Sequence, residues 1–535
     1  MSNDRTGIGH FRVWSLIGHW SLVIGHCLRR VSLPALLLAA ALSSGTATAG
    51  VQHIYIVHTN DIHGALLPTD AYWINRDFPP PLANAPGAVN VIRGLREEAQ
   101  KKGYGFLLLD GGDVFKGTPL GDFTKGQSSI DFFKRAGYDA IAVGNHDFDF
   151  GWQVLKQMVD SSGLPWFATN LHVAGTDTQP SWLASGRVFE RGGIKIGVFG
   201  VITKYLHGMV TDSLIGPLDV LPYNEAVRNE IAELRRQGAD IIVALNHVGY
   251  SHDRYLADSV PGIDAIIGAH SHTGIRPPYE SPRNHTVIQQ AYSKLSTVGI
   301  LDLAIDSATR RVVGYEGRLI DLMGEAVPTD VNYLAYLDSV RAVAEKGFDE
   351  TLGVSKRELT RGGSDETPAG NLITDAMREY FNADIAVHNS AGIRANIPAG
   401  VVTYRTVYNV DIFGNTAVTG LYTGAQVREM LEVSIDGHHA IFQLSGAKMT
   451  YAKKKPIGQR VLSITVNGQP LDTAKLYKVV TNSYLAAGSG EYGVFAHGEE
   501  LEDSFLPLRD VMAAYIKRHS PIDARIEGRI TAVDK

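Results

Sequence analysis

The sequence predicts an α/β protein of two domains, and three observations carry that expectation. The chain has 535 residues, beyond the size at which one hydrophobic core keeps growing, so at least two domains follow any leader. Between residues 53 and about 320, short β-rich runs alternate with helical stretches, as in an α/β layer arrangement. Beyond residue 350 a second pattern begins, with Gly- and Asn-rich turns. Hydrophobic residues make up 44% and charged residues 20%, ordinary globular usage that excludes a disordered or fibrous chain. A net charge of −6 without a long basic run excludes duplex nucleic acid as a partner and leaves a nucleotide-sized ligand open.

The first element is a leader. Arg29 and Arg30 precede an apolar run from Val31 to Leu42 and a small-residue stretch containing Ala47-Thr48-Ala49, the order of a secretory signal over residues 1–49 cleaved after Ala49. The alternative is a membrane anchor, but the run is too short to span a bilayer, so no permanent anchor is expected and the mature chain is expected in the periplasm or secreted. Upstream, Ser15-Leu16-Ile17-Gly18-His19 recurs as Ser21-Leu22-Val23-Ile24-Gly25-His26, which argues for a start codon assigned too early. Cys27, the only cysteine, lies in this leader. The mature chain would then have no thiol, so disulfides, thiolate zinc sites and cysteine nucleophiles are excluded and any metal needs nitrogen and oxygen ligands.

The first domain is expected over residues 50–322. Its strands read as 53–58, 105–109, 140–143, 194–201, 241–246 and 265–268, mostly continuous apolar runs that call for cover on both faces. Residues 223–237 carry apolar side chains at helical spacing and stop before Gly238, a C-cap. Residues 330–346 read as a helix closed by Gly347, inside a linker or hinge over 323–350. The second domain follows over 351–535; Asn467-Gly468 between two strand-like runs signals a hairpin, and Lys453-Lys454-Lys455 a solvated loop.

Five segments of the first domain share one design, an apolar strand running straight into a polar cluster. Val57 leads to Asp61-Ile62-His63, Leu109 to Gly111-Gly112-Asp113, and Val143 to Gly144-Asn145-His146-Asp147. Leu245 leads to Asn246-His247, and Ile267 to Gly268-Ala269-His270-Ser271-His272. In an open α/β sheet the carboxyl ends of strands converge on the ligand crevice, so these clusters can meet. Aspartates, an asparagine and histidines form a set suited to zinc, manganese, iron or cobalt rather than to an all-oxygen magnesium cage. The donors are too many for one ion; two metals sharing a carboxylate use them all, and such pairs clamp the oxygens of a phosphoryl displacement. A lone Asp or His after a strand is ordinarily a turn former or cap, and it is the coincidence of five clusters that overturns this. His58, His207, His252, His438 and His439 keep a structural reading, and Tyr205 and Tyr250 are expected to pack.

These stretches, together with Asn60 and Gly64, Phe148-Asp149 and Val248-Gly249 beside them, resemble the 5′-nucleotidase family of calcineurin-like dinuclear metallophosphoesterases, of the bacterial periplasmic 5′-nucleotidase and UDP-sugar hydrolase type. The resemblance implies an N-terminal αββα metallophosphoesterase sandwich and a C-terminal α/β substrate-binding domain. It implies two divalent metal ions, with manganese, zinc or cobalt the fitting identities. Asp61, His63, Asp113 and His272 would hold one, and Asp113, Asn145, His247 and His270 the other, with Asp113 bridging. Some family members carry glutamine where His272 stands. His146, oriented by Asp149, would face the phosphate, and the nucleophile would be metal-activated water.

The resemblance continues into the second domain through Glu366-Thr367-Pro368-Ala369-Gly370-Asn371-Leu372, Asn389-Ser390-Ala391-Gly392-Ile393-Arg394, Phe413-Gly414-Asn415 and Asn482-Ser483-Tyr484-Leu485-Ala486. It implies that Phe413 and Tyr484 stack a nucleobase and that Arg394, Asn389 and Arg361 meet phosphate or neighbouring polar groups. Gly488-Ser489-Gly490-Glu491 departs from the family's Gly-Gly-Asp: either Glu491 replaces the ribose-binding aspartate or that contact is missing. The implied activity is release of phosphate from nucleoside 5′-monophosphates. A 2′,3′-cyclic nucleotide phosphodiesterase with 3′-nucleotidase activity, a UDP-sugar hydrolase, a sulfur-oxidation hydrolase and an extracellular nucleotide-binding protein without turnover remain alternatives.

Overall fold

In the computed structural model the apolar runs of the first half become the inner strands of two facing sheets. The structure describes residues 50–71, 78–324, 326–362, 365–435, 441–488 and 490–534, within a unit running Val51–Lys535; the leader over 1–49 and His438 and His439 lie outside them. The strands are β1 (Val51–Thr59), β2 (Gly105–Asp110), β3 (Ala140–Ala142), β4 (Trp166–Phe167), β5 (Gly186–Arg191), β6 (Ile194–Ile202), β7 (Ile241–His247), β8 (Ala265–Ile267), β9 (Tyr279–Glu280), β10 (Val287–Gln289), β11 (Thr297–Asp306) and β12 (Val312–Asp321). Among the described residues they form two six-stranded sheets, ordered β12-β11-β1-β2-β3-β4 and β9-β10-β8-β7-β6-β5. The neighbours β1, β2, β3 and β4 run parallel, as do β6, β7, β8 and β10.

Side chains alternate across each strand, so each sheet buries two sets of apolar residues. Ile54, Ile56, Leu107 and Leu109 of the first sheet meet Ile196, Val198, Val243 and Ile267 of the second. The opposite faces pack on helices. Tyr55, Val57 and Leu108 lie under α1 (Asn84–Lys102), α2 (Gln127–Ala136) and α3 (Trp152–Ser162). Phe199, Val201, Ile242 and Ala244 lie under α4 (Tyr223–Arg236) and α5 (Tyr250–Ser259). The layers are αββα, which is why the strands read as unbroken apolar runs. Full burial of each such side chain contributes roughly 1.5–3 kcal/mol. The antiparallel pair β11 and β12 was not among the expected strands; β12 is a partly exposed edge that carries Arg318, Glu316 and Tyr315.

Helix α6 (Val331–Ala344) begins where the Asp330 carboxylate accepts from Tyr333 N at 3.0 Å, and Gly347 follows it with φ 86°. Its Tyr333 and Leu337 join the core of the first half. Beyond it come α7 (Pro368–Tyr380), β13 (Ile385–His388), β14 (Thr416–Thr423), β15 (Gln443–Ser445), β16 (Leu476–Asn482), β17 (Glu499–Pro507) and α8 (Leu508–His519). These strands form a sheet ordered β15-β13-β16-β14-β17. Thr367 caps α7 by accepting from Gly370 N, with Pro368 in the first turn. Asn467 and Gly468 take φ 50° and 80° between Val461–Val466 and Gln469–Pro470, the expected tight hairpin, and Lys453, Lys454 and Lys455 are exposed. No helix of the described residues is long and apolar enough to cross a membrane.

Candidate active site

Each candidate ligand stands at or just beyond the carboxyl end of a parallel strand. Asp61 and His63 follow β1, Asp113 follows β2, Asn145 follows β3, His247 ends β7, and His270 and His272 follow β8. Asp61, His63 and His272 form one group and Asp113, His247 and His270 another, the ligand atoms of each lying within 4.8 Å of one another. His63 Nε2 is 3.2 Å from His272 Nε2, and His272 Nε2 is 3.3 Å from Asp61 Oδ1. His247 Nε2 is 3.2 Å from Asn145 Oδ1 and 3.1 Å from Asp113 Oδ2. The same Asp113 oxygen is 3.8 Å from His63 Nε2, so it stands between the groups.

The residues fit divalent ions. Ligand atoms held at about 2.1 Å from one ion lie roughly 3.0–3.4 Å apart, the spacing found here. Two imidazole nitrogens directed at each other share a cation more readily than a single proton. The second nitrogens are already committed: His63 Nδ1 donates to Lys116 O at 3.0 Å and His247 Nδ1 to Gly111 O at 2.8 Å, which leaves each Nε2 directed inward. Burial holds His63 down at about 3 and His270 at about 4. For His247 burial opposes the charge, but Asp113 outweighs it and raises the imidazole to about 10.

Backbone conformation brings these side chains to the rim. Asp61, His63, Asp113, His270 and His272 all have φ between 51° and 75°, a left-handed conformation that costs about 1–3 kcal/mol for a residue with a Cβ. Hydrogen bonds hold it. Asp147 accepts from the N–H groups of Asp113, Val114 and Gly144, and burial followed by the Asp113 charge raises its carboxyl to about 7. Asn60 Nδ2 donates to Asp61 Oδ2 at 2.7 Å and to Tyr292 O at 2.6 Å, while Ala291 N donates to Asn60 Oδ1. Asp110, pushed up by burial, accepts from Thr59 Oγ1 and Gly112 N. Gly144 is needed for space, since a Cβ there would lie 2.2 Å from Asp113 Oδ1.

His146 Nδ1 donates to Asp149 Oδ2 at 2.9 Å, and its ring is 5.4 Å from that of His63. Burial opposes its charge, but the Asp149 and Asp113 carboxylates overcome this and raise it to about 9. Its side chain keeps 26% exposure, enough to meet a ligand.

The second-half residues are less tightly held. Phe413 stacks on His146 at 5.7 Å and 25°, with the Arg394 guanidinium 5.5 Å from its ring. Arg394 is exposed and its Nη1 donates to Ala391 O at 3.3 Å. Arg361 Nη1 reaches Ile393 O at 3.2 Å, beside the same loop. Asn389 Oδ1 accepts from Asn482 Nδ2 at 2.7 Å, and Thr416 N donates to Ser483 Oγ at 3.1 Å, so the loops bearing Arg394, Phe413 and Tyr484 are tied at one end of the sheet. Tyr484 meets Tyr492 edge-on at 5.8 Å. Glu491 lies exposed in a helical turn.

Four residues that support the site went unassigned in the sequence: Asn60, Asp110, Asp147 and Lys116. Asn60 and Asp147 lie within two residues of the ligands Asp61 and Asn145, which was a usable signal; nothing in the residue pattern marked Asp110 or Lys116. His58 is a strand histidine as expected, buried and paired through Nε2 with Gln289. His207 pairs with Asp212 on the surface, and His252 sits between Tyr205 and Tyr223. Tyr250 packs on Tyr279. Tyr205 does not pack as expected: it is 49% exposed, because its only close ring neighbour among the described residues is His252.

Comparison with known proteins matches each half of the chain to a family. The family described as calcineurin-like phosphoesterase matches residues 54–274, and that described as 5′-nucleotidase, C-terminal domain, matches residues 345–497. A 5′-nucleotidase of Vibrio vulnificus is 28% identical over 519 residues, covering 88% of this chain and 91% of the relative. The crystal structure of a 5′-nucleotidase precursor from Thermus thermophilus superposes with a TM-score of 0.80 at 26% identity, covering 90% of this chain and 100% of that one. A sulfate thiohydrolase, SoxB, of the same organism reaches 0.74 at 17% identity over 90% of this chain and 97% of its own, a likeness of fold alone.

Proposed function

The chain belongs to the 5′-nucleotidase family of calcineurin-like metallophosphoesterases, and from that premise we propose that it is an exported phosphohydrolase releasing phosphate from nucleoside 5′-monophosphates. The observation that carries the reading is the position of Asp113 between two ligand groups, beside a His146–Asp149 pair whose imidazole meets the Phe413 ring of the other half. Asp61, His63, Asp113 and His272 would hold one divalent ion and Asp113, Asn145, His247 and His270 the other. Such ions neutralise phosphoryl oxygens and acidify water. The residues of the chain do the rest. Asp149 fixes the His146 tautomer and stabilises its cation, leaving Nε2–H to donate to a phosphate oxygen and to protonate the departing ribose oxygen, which leaves as the hydroxyl. Phe413 and Tyr484 present stacking faces for the base, Arg394 and Arg361 offer cations to the phosphate, and Asn389 and Glu491 offer polar contacts.

We take 50–322 as the catalytic domain and 351–535 as the substrate domain. The linker over 323–350 includes α6, whose Tyr333 and Leu337 are buried in the catalytic core, so turning about the linker is best supported after α6, near Gly347. The test is phosphate release by the mature chain, stripped of metal and resupplied with manganese, zinc or cobalt, on adenosine 5′-monophosphate and on the 2′,3′-cyclic isomer. Faster release from the first is expected. Preference for the second would keep the metal site and change the substrate, the alternative that the departure at Glu491 leaves open. Binding of either without release would make the chain a nucleotide-binding protein.

A further inference from the structure

Lys116 lies in the loop after β2, and its side chain is only 11% exposed, unusual for a residue whose charge is ordinarily left in water. Nothing in the chemistry above uses it, yet it touches three parts of the site. Its backbone carbonyl accepts from His63 Nδ1. Its Nζ is 4.0 Å from Asp149 Oδ2. The same Nζ donates to the backbone carbonyl of Phe413, in the other half of the molecule. Since the Phe413 ring stacks on His146 and His146 is bonded to Asp149, the contacts close a circuit through Lys116, Phe413, His146 and Asp149.

From this circuit we propose that Lys116 is a positioning residue that sets where Phe413, and the base it carries, sits relative to the His146–Asp149 pair. The proposal rests on the nucleotidase reading of Phe413 and of that pair. An ammonium this enclosed needs an acceptor, and among the described residues the Phe413 carbonyl is within hydrogen-bond reach, whereas Asp149 is beyond it. When Phe413 withdraws, the Asp149 carboxylate, 4.0 Å away, can take its place as acceptor, and a lysine bonded there draws carboxylate charge away from His146. The pair is therefore set for catalysis when the base seat is docked, which ties substrate grip to proton placement across two domains.

The experiment compares Lys116→Met and Lys116→Arg with the unaltered, metal-loaded mature chain. It measures kcat/KM for adenosine 5′-monophosphate and for p-nitrophenyl phosphate, which has no base to stack, together with adenosine affinity by calorimetry and metal content. Lys116→Met is expected to lower the ratio of nucleotide to aryl phosphate efficiency by about tenfold or more and to weaken adenosine to a similar degree, since small misplacements of a bound group are costly. Lys116→Arg, which keeps a donor and a charge, is expected to recover most of both; should the methionine form misfold, Lys116→Gln, which lacks the charge, replaces it with the same losses expected. Equal losses on the two substrates with adenosine affinity intact would overturn the proposal, placing Lys116 on the catalytic pair alone. No loss on either would overturn it as well. An unaltered chain that cleaves the aryl phosphate but not the nucleotide would instead refute the nucleotidase reading on which the proposal stands.

Discussion

Asp113 and Arg394 are both candidate functional residues, but the molecule holds them differently. Asp113 is 1% exposed, sits in a left-handed conformation, receives the His146 N–H on its Oδ1 at 2.8 Å and has its own N–H bound by the buried Asp147. Arg394 is exposed on a short turn, with one long hydrogen bond from its guanidinium to Ala391 O and the Phe413 ring nearby. The proposed catalytic side is preorganised by strands, buried carboxylates and backbone strain, whereas the proposed substrate side is a loop surface with fewer fixed contacts. Chemistry on phosphoryl oxygens demands fixed positions, while a binding surface that must open and close gains from adaptable ones.

Substitutions can break or sharpen this contrast. Asp113→Asn removes the shared negative charge and should lower nucleotide hydrolysis by at least about 10³-fold, with loss of bound metal measured by elemental analysis. Full activity in that variant would refute the dinuclear reading. His146→Gln should lower kcat by about 10²–10⁴-fold while metal content stays near that of the unaltered chain, because His146 belongs to neither ligand group and is proposed to meet the phosphate. Gly144→Ala pushes a methyl into the Asp113 carboxylate and should weaken metal affinity by about 10–100-fold, read from a chelator competition, as displaced ligand supports do. Phe413→Ala should act the most gently, raising KM for adenosine 5′-monophosphate roughly tenfold, as loss of one stacking face does. A far smaller change for p-nitrophenyl phosphate would confirm that the two sides can be altered separately.

The same contrast explains what could be read from the chain. The six expected strands and the helix over residues 223–237 lie within one or two residues of β1, β2, β3, β6, β7, β8 and α4, because strands covered on both faces leave unbroken apolar runs. The ligand types were legible for a related reason: a strand that ends abruptly in Asp, Asn or His places them at the crevice. The supports were not. That Asp147 turns inward to hold the Asp113 loop depends on a turn whose direction leaves no mark in residue type, and Lys116 became central only through a carbonyl 297 positions away in the chain. The edge strand β12 was missed because much of it faces solvent and carries charge, and its neighbour β11, though mostly buried, is interrupted by Gly299 and Asp302. In the second half, Asn389, Tyr484 and Arg361 reach one end of the sheet from segments far apart in sequence, and no local pattern records that meeting.

The left-handed backbone of Asp61, His63, Asp113, His270 and His272 bears on how the protein tolerates change. Asp, Asn and His visit that region more readily than other residues with a Cβ, and β-branched residues hardly at all. At this rim the types able to ligate are therefore also the types able to adopt the fold, so drift at these positions is doubly confined. The gentlest disarming replacement is asparagine, which keeps the turn while giving up the charge or the ring. A natural descendant that had lost catalysis and kept its shape would be recognised by asparagine or glycine at these five places, and never by valine or isoleucine.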